Sequence, residues 1–133
     1  MISYHEVQHP DSPSGVVVLA LDDNTTPAAA IIHYPFEDNK RLIHFVYVAP
    51  AYRGQGLYAE LVRYIRIRFP FRVAVTPHIP TAAALWYTLL GVEVIPGERL
   101  DQGDLAAARA RRRAQEANGA ETLARIAAAH FAE

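Results

Sequence analysis

Arg53-Gly54-Gln55-Gly56 carries the plainest chemistry in the chain, because it stands where a β-branched apolar run gives way to a helical period. Backbone amides at a helix start have no intrahelical acceptor, and the helix dipole adds partial positive charge there. Glycines let that backbone approach a phosphate or diphosphate with no side chain between them. Arg53 can add a charge-assisted hydrogen bond to the same anion. The plain alternative is a strand-to-helix turn that holds nothing. Two other nucleotide devices fail on composition. A Walker loop needs Gly-Lys-Ser/Thr, and a dinucleotide fingerprint needs a third glycine after Gly54 and Gly56 in a parallel βαβ unit.

Composition narrows the remaining chemistry. The 133 residues are 51% apolar and 20% charged, with no cysteine. Disulfides, thiolate metal sites and cysteine nucleophiles are therefore excluded. His5, His9, His33 and His130 fall at no metal-ligand spacing, so no metal is expected. The balance is that of a soluble globular chain, and the length fits a single domain over residues 1–133. No apolar segment reaches the ~18 residues of a bilayer span, and no basic stretch followed by an apolar run opens the chain. A cytoplasmic protein without a membrane partner is the expectation.

Charge is uneven although the net value is −1. Residues 1–40 hold Glu6, Asp11, Asp22, Asp23, Glu37 and Asp38 against Lys40 alone, whereas residues 51–72 hold Arg53, Arg63, Arg66, Arg68 and Arg72 against Glu60. The arginines read equally as a field for a polyanionic ligand or as a solvated helix face. Arg109, Arg111, Arg112 and Arg113 are matched by acids from residue 97 onward, which favours a solvated face there.

The elements that must position these groups follow from periodicity. Residues 2–7, 16–21, 28–34 and 41–48 read as strands of an antiparallel meander, with turns at 8–15, at Asp22-Asp23-Asn24 and at Glu37-Asp38-Asn39-Lys40. The period then changes. Leu57, Leu61, Ile65 and Phe69 form one stripe, with Glu60, Arg63 and Arg66 on another face, so residues 56–69 are an amphipathic helix ended by Pro70. Residues 71–76 read as a strand. Thr81 caps a helix to Leu90 with Gly91 as its stop, and residues 92–95 are a last strand. Residues 97–133 form a helical extension, read as two helices (104–117 and 120–132) broken at Asn118-Gly119. Leu123, Ile126, Ala127, His130 and Phe131 make a stripe that would pack on the sheet or on a second subunit, which leaves a homodimer open.

Val48-Ala49-Pro50-Ala51-Tyr52-Arg53-Gly54-Gln55-Gly56-Leu57, followed by a helix, resembles the phosphate-binding segment of the GCN5-related N-acetyltransferase (GNAT) family. The family's second signature, a tyrosine four residues before a glycine at a helix end, has its match in Tyr87 and Gly91. The resemblance covers residues 41–95 in the order strand, helix, strand, helix, strand. It implies a mixed, mostly antiparallel α/β (α+β) fold with flanking helices.

The resemblance also implies a site and an activity. Two neighbouring strands splay, and Val46, Tyr47 and Val48 offer backbone groups to the pantetheine arm of acetyl-CoA. Arg53, Gly54, Gln55, Gly56, Leu57 and Tyr58 hold the pyrophosphate, and a backbone N–H near Val46 polarises the thioester carbonyl. Tyr87 protonates the leaving thiolate, unless it is a core tyrosine beside Trp86. His44 lies on the same strand and titrates in a range that suits accepting a proton from an ammonium, although a strand histidine also serves structure alone. His78 is a surface residue or an acceptor contact. The implied activity is acetyl transfer from acetyl-CoA to an amine by direct attack in a ternary complex. A non-catalytic acyl-CoA-binding module and a modifying enzyme for a protein or nucleic-acid base are the alternatives. Three departures stand out: Tyr58 makes the helix start bulky, Pro80 replaces the family's frequent asparagine, and no helices fit between the first two strands, which leaves the acceptor site without its usual walls.

Overall fold

A computed structural model describes residues 1–37, 39–69 and 72–132. Asp38 of the expected turn, Pro70 as helix stop, Phe71 as first residue of a strand and the terminal Glu133 lie outside the described residues. Six strands form one sheet in sequence order: β1 (Ile2–Gln8), β2 (Val16–Asp22), β3 (Thr26–Pro35), β4 (Lys40–Val48), β5 (Arg72–Val75) and β6 (Glu93–Val94). The first four pair antiparallel, and β4–β5 and β5–β6 pair parallel. The sheet is therefore mixed and mostly antiparallel, with the expected meander in its first four strands and the mixed architecture that the resemblance implies. Asp23 and Asn24 take left-handed φ values of 50° and 60° in the β2–β3 turn, where short polar side chains tolerate that region best.

Alternation sorts the core into two layers. Val18 and Ala20 of β2 face one side of the sheet, with Ile31, Val73 and Val75. Helix α1 (Leu57–Arg68) buries Leu57, Leu61, Val62 and Ile65 on that side, and α2 (Thr81–Leu89) adds Ala84 and Tyr87. Val17, Leu19 and Leu21 face the other side, with Ala30, Ile32 and Tyr47. Helix α3 (Leu105–Phe131) covers it with Leu123, Ile126 and Ala127. Covering on both faces explains why the central strands are apolar without alternation.

Two expectations are corrected. The C-terminal extension is one 27-residue helix, with no break at Asn118-Gly119. Gly119 marks a close approach: a Cβ there would overlap the Tyr47 ring, lying 2.8 Å from Cε1. Thr81 is also not its own cap. Pro80 holds the cap position of α2, and Asp101 Oδ1 accepts from the Thr81 N–H and Oγ1–H, each at 3.0 Å. Of the two places open to the apolar stripe of α3, Leu123 and Ile126 take the sheet, while Phe131 at the stripe's end stays 50% exposed. Between β1 and β2 the chain passes through turns only.

Candidate functional site

β4 and β5 pair over four steps, from Lys40↔Arg72 to Ile43↔Val75. One further bond, Thr76 N–H to Ile43 O at 3.3 Å, closes the ladder. Beyond it the two strands part. Antiparallel ladders alternate in the side to which backbone groups point, and Ala49 N–H bonds Ala28 O of the β3 segment at 2.8 Å. Counting back, Tyr47 and Phe45 turn their backbone groups to β3, and Val46 and Val48 turn theirs to the gap. The gap opens into a cleft of about 950 Å3, lined among others by His44, Val46, Tyr47, Val48, Arg53, Gly56, His78 and Tyr87.

At one end of the cleft stands the start of α1. Gly54 and Gly56 have φ of 79° and 78°, a region that glycine alone enters freely, and a Cβ on either would meet nothing within 4 Å. No side chain caps the helix. Its first internal bond is Glu60 N–H to Gly56 O at 3.1 Å, so the amides of Leu57, Tyr58 and Ala59 have no acceptor within the helix. The loop before it is fixed by Tyr52, whose hydroxyl donates to Asp22 Oδ2 at 3.0 Å. Arg53 folds back over this entrance. Its Nε donates to Val48 O at 3.0 Å, and its Nη2 donates to Glu116 Oε1 of α3 at 2.6 Å. The other arginines of this region serve the surface: Arg63 pairs with Glu60, Arg68 with Glu6 and Arg72 with Glu93, while Arg66 donates to Leu90 O. For these four the solvated-face reading holds.

Tyr87 reaches the cleft from α2 and is 3% exposed. Burial pushes its hydroxyl pKa up, so the group stays protonated at neutral pH and can serve in proton transfer only as an acid. His44 is the extra residue of a β-bulge, since Ile32 opposes Phe45 while His33 opposes Ile43. The bulge turns His44 outward to an exposed position lining the cleft, with its ring edge-on to Tyr34 at 5.7 Å. His78 is exposed at the cleft's rim on the loop after β5.

A family model described as the acetyltransferase (GNAT) family matches residues 2–75, the span that holds the parted strands and the open helix start. The chain belongs to the GNAT family. By that membership it is an acyl-CoA-dependent N-acetyltransferase. Solved structures share the fold at low identity. A GNAT family acetyltransferase from Streptococcus pneumoniae matches with a TM-score of 0.57 and 18% identity, over 70% of this chain and 88% of that one. A ribosomal-protein-alanine N-acetyltransferase from Brucella melitensis biovar Abortus gives 0.53 and 13%, over 68% and 72%. An aminoglycoside N-acetyltransferase solved in complex with CoA gives 0.55 and 11%, over 73% and 91%. No curated protein sequence matches the chain. Among the described residues no helix is long and apolar enough to cross a membrane, and no group of acidic or histidine side chains is disposed to hold a metal ion.

This GNAT chain walls its cleft with an element that sequence reasoning placed on the surface. Arg112, Gln115, Glu116 and Asn118 of α3 line the cleft opposite α1 and α2. Glu116 is the central member. Its Oε1 accepts from Arg53 and also from the Tyr47 hydroxyl at 2.8 Å. Arg53 and then Tyr47 hold its carboxyl below the usual range, so it is ionised at neutral pH. The one sign of this wall in the sequence is Gly119, a glycine inside a helical period, which marks a close backbone approach as readily as a break.

Proposed function

We propose that this GNAT domain, as a single unit, transfers an acetyl group from acetyl-CoA to an amine by direct attack in a ternary complex. The diphosphate lies on the backbone of Arg53, Gly54, Gln55, Gly56, Leu57 and Tyr58, and the pantetheine arm pairs with Val46 and Val48, whose backbone groups face the gap. Tyr47, expected to join them, keeps its backbone groups on β3. The acceptor nitrogen attacks the thioester carbon. Charge that develops on the carbonyl oxygen is met by the Val46 N–H on the cleft side of β4. The C–S bond breaks as the C–N bond forms, and the departing sulfur takes a proton from the Tyr87 hydroxyl. His44, on the bulge, accepts the proton that the ammonium sheds before the neutral amine attacks, and the second proton, lost from nitrogen as the amide forms, makes good the one that Tyr87 gave to sulfur. With no cysteine in the chain, no acyl-thiol enzyme can form on a cysteine, which supports the direct route.

The observation that carries this reading is the parting of β4 and β5 beyond Ile43 and Val75 beside an uncapped helix start. The structural neighbours named for ribosomal-protein alanine and aminoglycosides act on amines.

The test is calorimetry with acetyl-CoA on the parent, Gly56→Asn and Gly56→Asp. Both substitutions put a short polar side chain at the same left-handed φ, so they share the backbone cost. They differ by one charge aimed at the diphosphate. Gly56→Asp is expected to bind at least about tenfold more weakly than Gly56→Asn. Equal affinity in the two variants would remove the diphosphate from this position.

A further inference from the structure

We infer that Glu116 sets the affinity of the cofactor site: its carboxylate and the cofactor's diphosphate are alternative partners for Arg53. The inference rests on the diphosphate assignment proposed above. Arg53 enters the cleft with two of its donor directions committed, Nε to Val48 O and Nη2 to Glu116 Oε1. The guanidinium also lies over the Tyr47 ring, 5.6 Å from its centroid. Tyr47 is pressed against Gly119 of α3 and donates to the same carboxylate oxygen. A carboxylate from α3 is thus held at hydrogen-bond distance on the cation that should meet the diphosphate.

Two anions cannot share that guanidinium without repulsion, because the diphosphate carries at least two negative charges of its own. Glu116 has the freedom to leave. Its side chain is 49% exposed and stands on a helix face that looks into open cleft. Arg112, one turn earlier on α3, also lines the cleft and is spaced to receive the released carboxylate. Cofactor binding therefore exchanges the Arg53–Glu116 pair for an Arg53–diphosphate contact, and the broken pair is subtracted from the affinity.

The prediction is opposite to that of a residue that merely holds Arg53 in place. Glu116→Gln keeps the length of the side chain and an oxygen for Tyr47 but removes the charge. CoA titrations of the parent, Glu116→Gln, Arg53→Gln and the double variant are the test. Glu116→Gln is expected to bind CoA about fivefold tighter or better, the factor that about 1 kcal/mol of relieved repulsion gives. That gain should vanish in the Arg53→Gln background, where there is no guanidinium to compete for. Unchanged or weaker binding by Glu116→Gln, beside a parent that binds CoA, overturns the exchange and leaves the cofactor assignment standing. If neither the parent nor Glu116→Gln binds CoA, both fall together.

Discussion

Tyr87 shows how one environment can suit a side chain to a single proton-transfer role. Its ring packs edge-on against Trp86 at 5.1 Å, and Trp86 packs in turn against Tyr58 at 5.9 Å. This aromatic shelf between α1 and α2 excludes water from the phenol, and exclusion of water disfavours the phenolate. A phenol held neutral cannot serve as a base at neutral pH, but it can donate as charge builds on a leaving sulfur. Tyr87→Phe keeps the packing and removes only the donor. Turnover of acetyl-CoA with an amine is expected to fall by a factor on the order of 10²–10⁴. CoA affinity, measured alongside by calorimetry, is expected to stay within about twofold. A variant with full turnover would assign the hydroxyl to the core alone.

Helix α3 tests how a residue choice is settled between local propensity and packing. Alanine is favoured over glycine in a helix interior by about 1 kcal/mol, so Gly119→Ala would stabilise an isolated helix. In this fold the added methyl would overlap the Tyr47 ring, which is 7% exposed and tied through its hydroxyl to Glu116. Overpacking a fixed site costs about 1–3 kcal/mol, which outweighs the propensity gain. Thermal unfolding of Gly119→Ala is expected several degrees below the parent, and a higher Tm would show that Tyr47 yields freely. The same helix marks the limit of the sequence. Helices α1 and α2 were readable because each carries a helical apolar period with a turn or stop signal at its end, and the longer strands because short apolar, β-branched runs lie between turn signals. At α3 the period runs on through Asn118-Gly119, and a glycine there reads equally as a stop or as a contact. Its polar face was harder still. Spacing shows that Arg112, Gln115 and Glu116 share a side of the helix, but not that a cleft lies opposite. The face of His44 was hidden for a related reason, since a one-residue bulge in β4 reverses which side a residue meets.

On the scale of the whole molecule, the sheet is stable only with both faces covered. Val17, Leu19, Leu21 and Ile32 on the α3 side are each no more than 3% exposed. Burying a side chain of this kind contributes about 1.5–3 kcal/mol, so the four together approach the entire stability of a typical domain, about 5–15 kcal/mol. The helix that walls the cleft therefore also holds up the sheet, and it lies outside residues 2–75 that match the family. Polar groups inside such a sandwich make stability depend on pH, and His33 dominates here. It is fully buried, its Nδ1 accepts from Arg41 Nε at 3.1 Å and lies 2.9 Å from Arg41 Nη2, and its Nε2 has no partner among the described residues. Burial, then the Arg41 charge, pushes its pKa down from 6.5 to about 4, with Glu6 opposing. The folded state thus resists a proton that the unfolded chain accepts below pH 6.5. The stability from His33 is fully present above 6.5, declines as pH falls, and is exhausted near 4. The loss is on the order of 3 kcal/mol. Denaturant midpoints measured from pH 7.5 to 4 should fall across that window, and His33→Asn, whose Oδ1 can still accept from Arg41, should start lower and show a flatter line. Parallel lines for the two proteins would place the titrating group elsewhere.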